Sequence, residues 1–446
     1  MRLTASKLPG HIIRQVRDAT FPPPPAEVPA AAAAAAGDGA KGDPPAPLRQ
    51  QSSVSSLPPP SRSNSALPPP SRCNSALPPD GASQPQYGSL LDKEAARIAK
   101  FERILSAEIV DLAALRDASW SGIPAQFRMT AWQQLLGYLP VNREWRASTL
   151  LRKRREYAEA VPQFFDVDDS ERSEYQRAIF HQILLDVPRT CSASALFQHK
   201  TVQRSLERIL YIWALRHPAS GYVQGINDLV LPFFLAFLTS SVAPELVNAA
   251  GEVDIDAVPA EVLACVEADS FWCLSKLLNV VQDHYTFAQP GIQRMVFRLK
   301  EIVQRIDRPL HAHLALQGIQ FIQFAFRWMN CLLMRELGLP MITRMWDTYL
   351  AEGAADIDAP LTTPTGAPGV STDSFAVLHV YVCAALLLKW SEKLQHMQFQ
   401  ELVMFLQHLP TSEWQVKELE ELLSQAYLWK ELYHNSQAHL QSQYEV

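Results

Sequence analysis

Apolar residues recur at three- and four-residue spacing through most of the chain, and that period predicts helices. Ala95, Ile98, Phe101 and Leu105 form a first stripe, with Ser89 and Asp92 placed as a capping box, so order is expected to begin near Ser89. Leu206, Ile209, Leu210 and Trp213 follow i, i+3, i+4, i+7, and His217-Pro218 ends that stripe. Phe321, Phe324, Trp328, Leu332 and Leu333 make another. Leu419, Leu422, Leu423 and Ala426 make a last one, capped by Ser412 and Gln415. Phe375 to Leu388 is apolar throughout and includes His379; its 14 residues are too few to span a bilayer and suit a core helix. Strict alternation is scarce, so the fold class read from the pattern is all-α. Two stretches read as loops: Ser241 to Ala268, with its acids and two prolines, and the 22 residues from Gly353 to Ser374, rich in Thr, Pro, Gly and Asp.

The first 90 residues break the pattern. They hold 18 of the 33 prolines, an alanine run from Ala30 to Ala36 and none of the ten tryptophans, so they lack the apolar bulk to offset ordering entropy. The organisation predicted is a disordered Pro-rich tail over 1–88, a helical lead-in over 89–118, a single helical domain over 119–433 and a short tail over 434–446. Within the first tail, Leu57 to Ala66 recurs as Leu67 to Ala76. Each unit sets an arginine three residues before a serine, Arg62/Ser65 and Arg72/Ser75, a spacing that suits a basophilic kinase. A slipped linker repeat is the other reading of the same residues. Ile12, Ile13 and Val16 form a small apolar cluster, either a docking segment or a chance grouping.

Charge and cysteine usage narrow the function classes. Net charge is −6, with about +3 in the first 90 residues and about −9 in the rest, and no clustered basic face for nucleic acid. The six cysteines show no CxxC spacing and sit mostly in apolar runs, as expected of reduced thiols in a cytosolic protein. Met1 to Asp18 has no apolar secretory core, and Tyr444-Glu445-Val446 offers no prenylation cysteine. His311 and His313, two residues apart on a predicted helix, face different ways and make poor metal ligands, so no metal site is assigned. Trp132, Trp213, Trp328 and Trp346 lie in apolar stripes and are expected in the core.

Two segments carry candidate chemistry. Ile183-Leu184-Leu185-Asp186-Val187-Pro188-Arg189 ends a predicted helix over Glu174 to Asp186. Val187 precedes proline and is biased away from the helical region, so the helix is expected to end or bend there and Arg189 to project, with Asp186 setting its guanidinium. Taken alone, the pair is equally an ordinary ion pair. Tyr222-Val223-Gln224-Gly225 places a carboxamide at the start of a buried helix, beside a glycine that permits close backbone approach. Taken alone, this reads as a helix-capping cluster.

The two segments are not alone. Gly122-Ile123-Pro124, Arg128 and Trp132 precede them; Phe326-Arg327-Trp328, Arg335-Glu336 and Trp346-Asp347 follow. This ordered set resembles the TBC domain of Rab GTPase-activating proteins over about Ser119 to Tyr433. The family patterns I-x-x-D-x-x-R and Y-x-Q are complete at Ile183/Asp186/Arg189 and Tyr222/Gln224. Arg216 to Gly221, Asp283 to Gly291 and Phe324 to Asn330 resemble the member-22 subgroup, while the long Gly353 segment departs from its compact form.

The resemblance implies a GTPase activator working in trans on a GTP-bound Rab. Arg189 would neutralise charge on the transferring phosphoryl group, and Gln224 would orient the attacking water. Asp186 would orient Arg189, Tyr222 would help fix the Gln224 loop beside Gly225, and Arg128 would link packed helices. The chain needs no cofactor, because magnesium and GTP belong to the Rab; no G-x-x-x-x-G-K-[ST] loop is present. The implied location is cytoplasmic, peripheral on vesicle or Golgi membranes through partners. A Golgi adaptor or a phosphoserine-binding protein reached through Ser65 or Ser75 is a second partner class. The rival reading is a helical scaffold that binds a GTPase or adaptor without catalysis.

Overall fold

A computed structural model describes residues 85–247, 253–353 and 374–434. Ile12, Ile13, Val16, Ser65, Ser75, Cys73, the interior of the Gly353 segment and residues 435–446 lie outside them. Among the described residues the chain is helical, with two isolated bridges, Ile109 with Asn142 and Val247 with Val253, and no strand.

The helices follow from the stripes, with shifted ends. Helix α1 (Pro85–Ser106) begins four residues before the expected cap, so Ser89 lies inside it. Helix α2 (Leu112–Trp120) is capped by Asp111, whose carboxylate accepts from the backbone N–H of Ala113 and Ala114 at 2.9 and 3.1 Å. Helices α3 (Ala125–Leu135) and α4 (Arg143–Ala160) follow. Helix α5 (Glu174–Asp186) has the predicted bounds and opens on a Ser173/Gln176 capping box. Helix α6 (Lys200–Arg216) stops before His217-Pro218 as the pattern predicts.

Helix α7 (Leu231–Ser241) leads to α8 (Ala260–Val280), which corrects the loop expected over Ser241 to Ala268: its last part is helical. Glu267, one of the acids that suggested a loop, is buried and accepts from Arg208 at 2.6 and 2.7 Å and from the Tyr157 hydroxyl at 2.7 Å. Then come α9 (Pro290–Ile306), α10 (Arg308–Leu316) and α11 (Phe321–Asn330). The stripe drawn through Leu332 and Leu333 outruns α11: both have left-handed backbones, φ 48° and 61°. Complete burial of both side chains offsets the steric cost of that turn. The final helices are α12 (Leu339–Gly353), α13 (Ser374–Leu388), α14 (Phe399–Gln407) and α15 (Val416–Tyr433). The cap of α15 is Gln415 with Glu418 rather than Ser412 with Gln415.

Helix α13 is apolar all round and packs against α9, α12 and α15, as its composition requires. Helix α7 packs against α3, α8 and α12. Trp132, Trp213, Trp328 and Trp346 are all buried. Arg128 does link packed helices: its Nε donates to Asp347 of α12 at 3.0 Å and an NH2 donates to the Ile123 carbonyl at 2.8 Å.

Candidate functional site

Three connections converge beside α5, α7 and α12: residues 186–194, 224–231 and 334–339. They line a cleft of about 720 Å³ whose wall includes Asp186, Arg189, Gln224, Asn227, Asp228 and Arg335. Arg189 and Gln224, 35 residues apart in sequence, thus face one space. A second groove of about 730 Å³, between α9, α10 and α11, is more apolar and holds none of the predicted site residues; it touches the Tyr222–Gly225 segment only at Val223. The predicted site residues therefore gather in the first cleft.

Arg189 is set by backbone. Helix α5 ends at Asp186, and Val187–Arg189 continues as one 3-10 turn before Thr190 turns extended. Val187 keeps a helical backbone, φ −56° and ψ −47°, despite the proline after it. Its side chain is fully buried, and that burial offsets the pre-proline clash. The Thr190 hydroxyl donates to the Asp186 carbonyl at 2.8 Å and closes the turn. Arg189 itself is exposed, and its guanidinium makes no hydrogen bond or ion pair among the described residues.

The expected Asp186–Arg189 pair is absent. Asp186 is buried, and its carboxylate accepts instead from Gln182 at 3.0 Å, Tyr222 at 3.0 Å and Gln224 at 3.2 Å. Three donors fill the oxygens before the arginine reaches them. Tyr222 is half-buried at the residue level with its hydroxyl among carboxylates; desolvation and then Asp186 push its pKa well above the ordinary tyrosine value, so it stays a donor.

Gln224 is an exposed residue whose carboxamide is held on its nitrogen side. A carboxylate only accepts, so Gln224 presents its NH2 to Asp186 and keeps its Oε1 free as an acceptor. Gly225 has φ 115°, the left-handed region that favours glycine. Its N–H donates to Asn227 Oδ1 at 2.8 Å, and Asn227 Nδ2 donates to the Thr190 hydroxyl at 2.8 Å. Asn227 therefore ties the Arg189 turn to the Gln224 segment. Ile183 is fully buried under this network. Deeper in the cleft, Asp228 pairs with Arg335 at 2.8 Å; burial raises the Asp228 pKa and Arg335 opposes the rise.

Asn227, Thr190 and Asn330, whose Nδ2 donates to the Gln224 carbonyl at 2.9 Å, were not singled out by sequence reasoning. The polar trio Asn227, Asp228 and Thr190 beside the two motifs was the available signal. Asn330 sits 106 residues from Gln224, and the Phe324 to Asn330 stretch that holds it gave no sign of that contact.

A model of the Rab-GTPase-TBC domain matches residues 125–395. The chain belongs to this family. Relatives within it include the GTPase-activating protein gyp1 of Schizosaccharomyces pombe, 50% identical over 345 residues, which cover 77% of this chain and 63% of that protein. The human TBC1 domain family member 22A is 45% identical over 354 residues, 78% of this chain and 63% of that protein. The chain thus spans less than two thirds of the length of these relatives. The crystal structure of the Ypt/Rab-GAP domain of Gyp1p superposes with a TM-score of 0.68 at 45% identity, covering 76% of this chain and 99% of that one. The resemblance to the TBC family and its member-22 subgroup, first carried by the motifs, holds across most of the helical domain.

Proposed function

We propose that this protein is a GTPase-activating protein for a Rab-family GTPase and supplies two side chains in trans. The observation that carries the reading is the cleft shared by Arg189 and Gln224: a guanidinium with no partner among the described residues stands beside a carboxamide bonded to a buried carboxylate. The names of two relatives, a GTPase-activating protein and a Ypt/Rab-GAP domain, agree with it.

In this mechanism the Rab brings GTP and magnesium and seats its nucleotide over the cleft. Arg189 meets the charge developing on the transferring phosphoryl oxygens. Gln224 Oε1 accepts from the attacking water and takes over the role of the Rab's own glutamine. Asp186 acts on Gln224 in this account, and Asn227 keeps the two segments in register. The protein acts on membranes that carry its Rab, with the Golgi or its vesicles as the location inferred. Phosphorylation at Ser65 or Ser75, read by an adaptor, is a further part of the proposal.

Phosphate release from a panel of GTP-loaded Rabs tests the reading. The wild-type chain should accelerate at least one, and Arg189→Ala and Gln224→Ala should each nearly abolish the effect while binding persists. Binding without acceleration by the wild type would leave a scaffold in its place.

A further inference from the structure

Asn330 closes α11 and reaches back to the candidate catalytic segment. Its Nδ2 donates to the backbone carbonyl of Gln224 at 2.9 Å. Its own carbonyl accepts from the buried Tyr285 hydroxyl at 2.7 Å, which fixes the base of the tether. The approach is tight: a Cβ on Gly225 would lie 2.2 Å from Asn330 Nδ2, so only glycine at 225 admits the amide at this distance.

Stability does not account for the choice of residue. Asn330 is buried, yet its Oδ1 has no hydrogen-bond partner. A buried acceptor left unsatisfied is unfavourable, and an apolar side chain of similar size would avoid that cost. What the amide provides is the short bond to Gln224, beside a longer contact of the same Nδ2 with Cys331 Sγ at 3.7 Å.

We infer that Asn330 is a positioning residue for Gln224. Gln224 is then held at two points: its side-chain NH2 by Asp186 and its main-chain carbonyl by Asn330. Two attachments fix the direction of the free Oε1, which a single one leaves able to swing. The inference rests on the GTPase-activating reading.

The test uses the full chain and the GTP-loaded Rab that the wild type accelerates most. Single-turnover phosphate release at saturating chain is measured for wild type, Asn330→Ala, Asn330→Asp, Gln224→Ala and the Asn330→Ala/Gln224→Ala double variant. Affinity is measured with the same Rab holding a non-hydrolysable GTP analogue. Asn330→Ala should lower the saturating rate by roughly 10²-fold, the loss typical of a misplaced catalytic group, while affinity stays close to wild type. Asn330→Asp keeps the shape but cannot donate, so it should lose as much; it also serves if the alanine variant fails to fold. In the Gln224→Ala background, Asn330→Ala should change nothing further.

Equal fold-losses in both backgrounds would mean a general weakening of the domain and would overturn the inference. So would wild-type turnover by both Asn330 variants. A wild type that accelerates no Rab overturns the activating reading and this inference together. An active wild type with an inactive Gln224→Ala and a fully active Asn330→Ala overturns this inference alone.

Discussion

Asp347 and Asp186 are both buried carboxylates, and the fold treats them differently. Asp347 receives the Arg128 guanidinium at 3.0 Å, the Trp132 indole N–H at 2.8 Å and the Ile123 N–H at 2.9 Å. Asp186 receives only neutral donors, although Arg189 stands three residues away. Where an arginine is part of the scaffold, it is consumed by an internal acid. At the cleft, the acid is consumed by the glutamine segment, and the arginine is left over. An unengaged cation above a cleft is what a partner's phosphates need.

The largest effect expected from this contrast is Arg189→Ala. It should lower the stimulated turnover of the Rab by roughly 10³–10⁵, about 4–7 kcal/mol of activation free energy, without moving the melting temperature, because the side chain has no partner among the described residues. A variant that melts early yet retains turnover would reverse the assignment of the two arginines. Arg128→Ala should do the opposite. It strands Asp347 and should destabilise the domain by about 3 kcal/mol in denaturant melts, with saturating turnover retained by the folded fraction. Asp186→Ala sharpens the cleft side of the comparison: it removes the acceptor of the Gln224 NH2, and turnover should fall by roughly 10²-fold through misplacement.

The effect of acid on stability bears least on the comparison and should not distinguish the two sites. His379 is buried between the Tyr349 hydroxyl and the Trp328 carbonyl, and burial lowers its pKa to about 3. His284 is likewise lowered by burial, to about 4. Both stay neutral in the fold while the unfolded chain binds protons below its ordinary pKa. This contribution to stability is complete above about pH 6.5 and is lost progressively as pH falls below it. Urea melts between pH 7 and 4.5 measure the slope, and His379→Gln should make it shallower. An unchanged slope would locate the acid sensitivity elsewhere.

Much of the fold was legible because periodicity is a local property. Glu174 to Asp186 formed a helix with the expected ends, and the Leu206 to Trp213 stripe a helix with the expected stop. Helix ends were less legible where they depend on tertiary burial: Leu332 and Leu333 are apolar at helical spacing, yet they turn left-handed because the core takes both. Glu267 read as a loop acid because nothing near it in sequence announces Arg208. The cleft divides the same way. Arg189 and Gln224 were visible as members of local motifs. The competition for Asp186 was not, since Tyr222 and Gln224 arrive from 36 and 38 residues away.

The central claim is that the cleft supplies the glutamine as well as the arginine. It is tested most directly on a Rab whose own catalytic glutamine has been replaced by alanine. Phosphate release from that GTP-loaded Rab should be accelerated by the wild-type chain and not by Gln224→Ala. Equal acceleration by both chains, or no acceleration by a wild type that remains active on the unmodified Rab, would contradict the account.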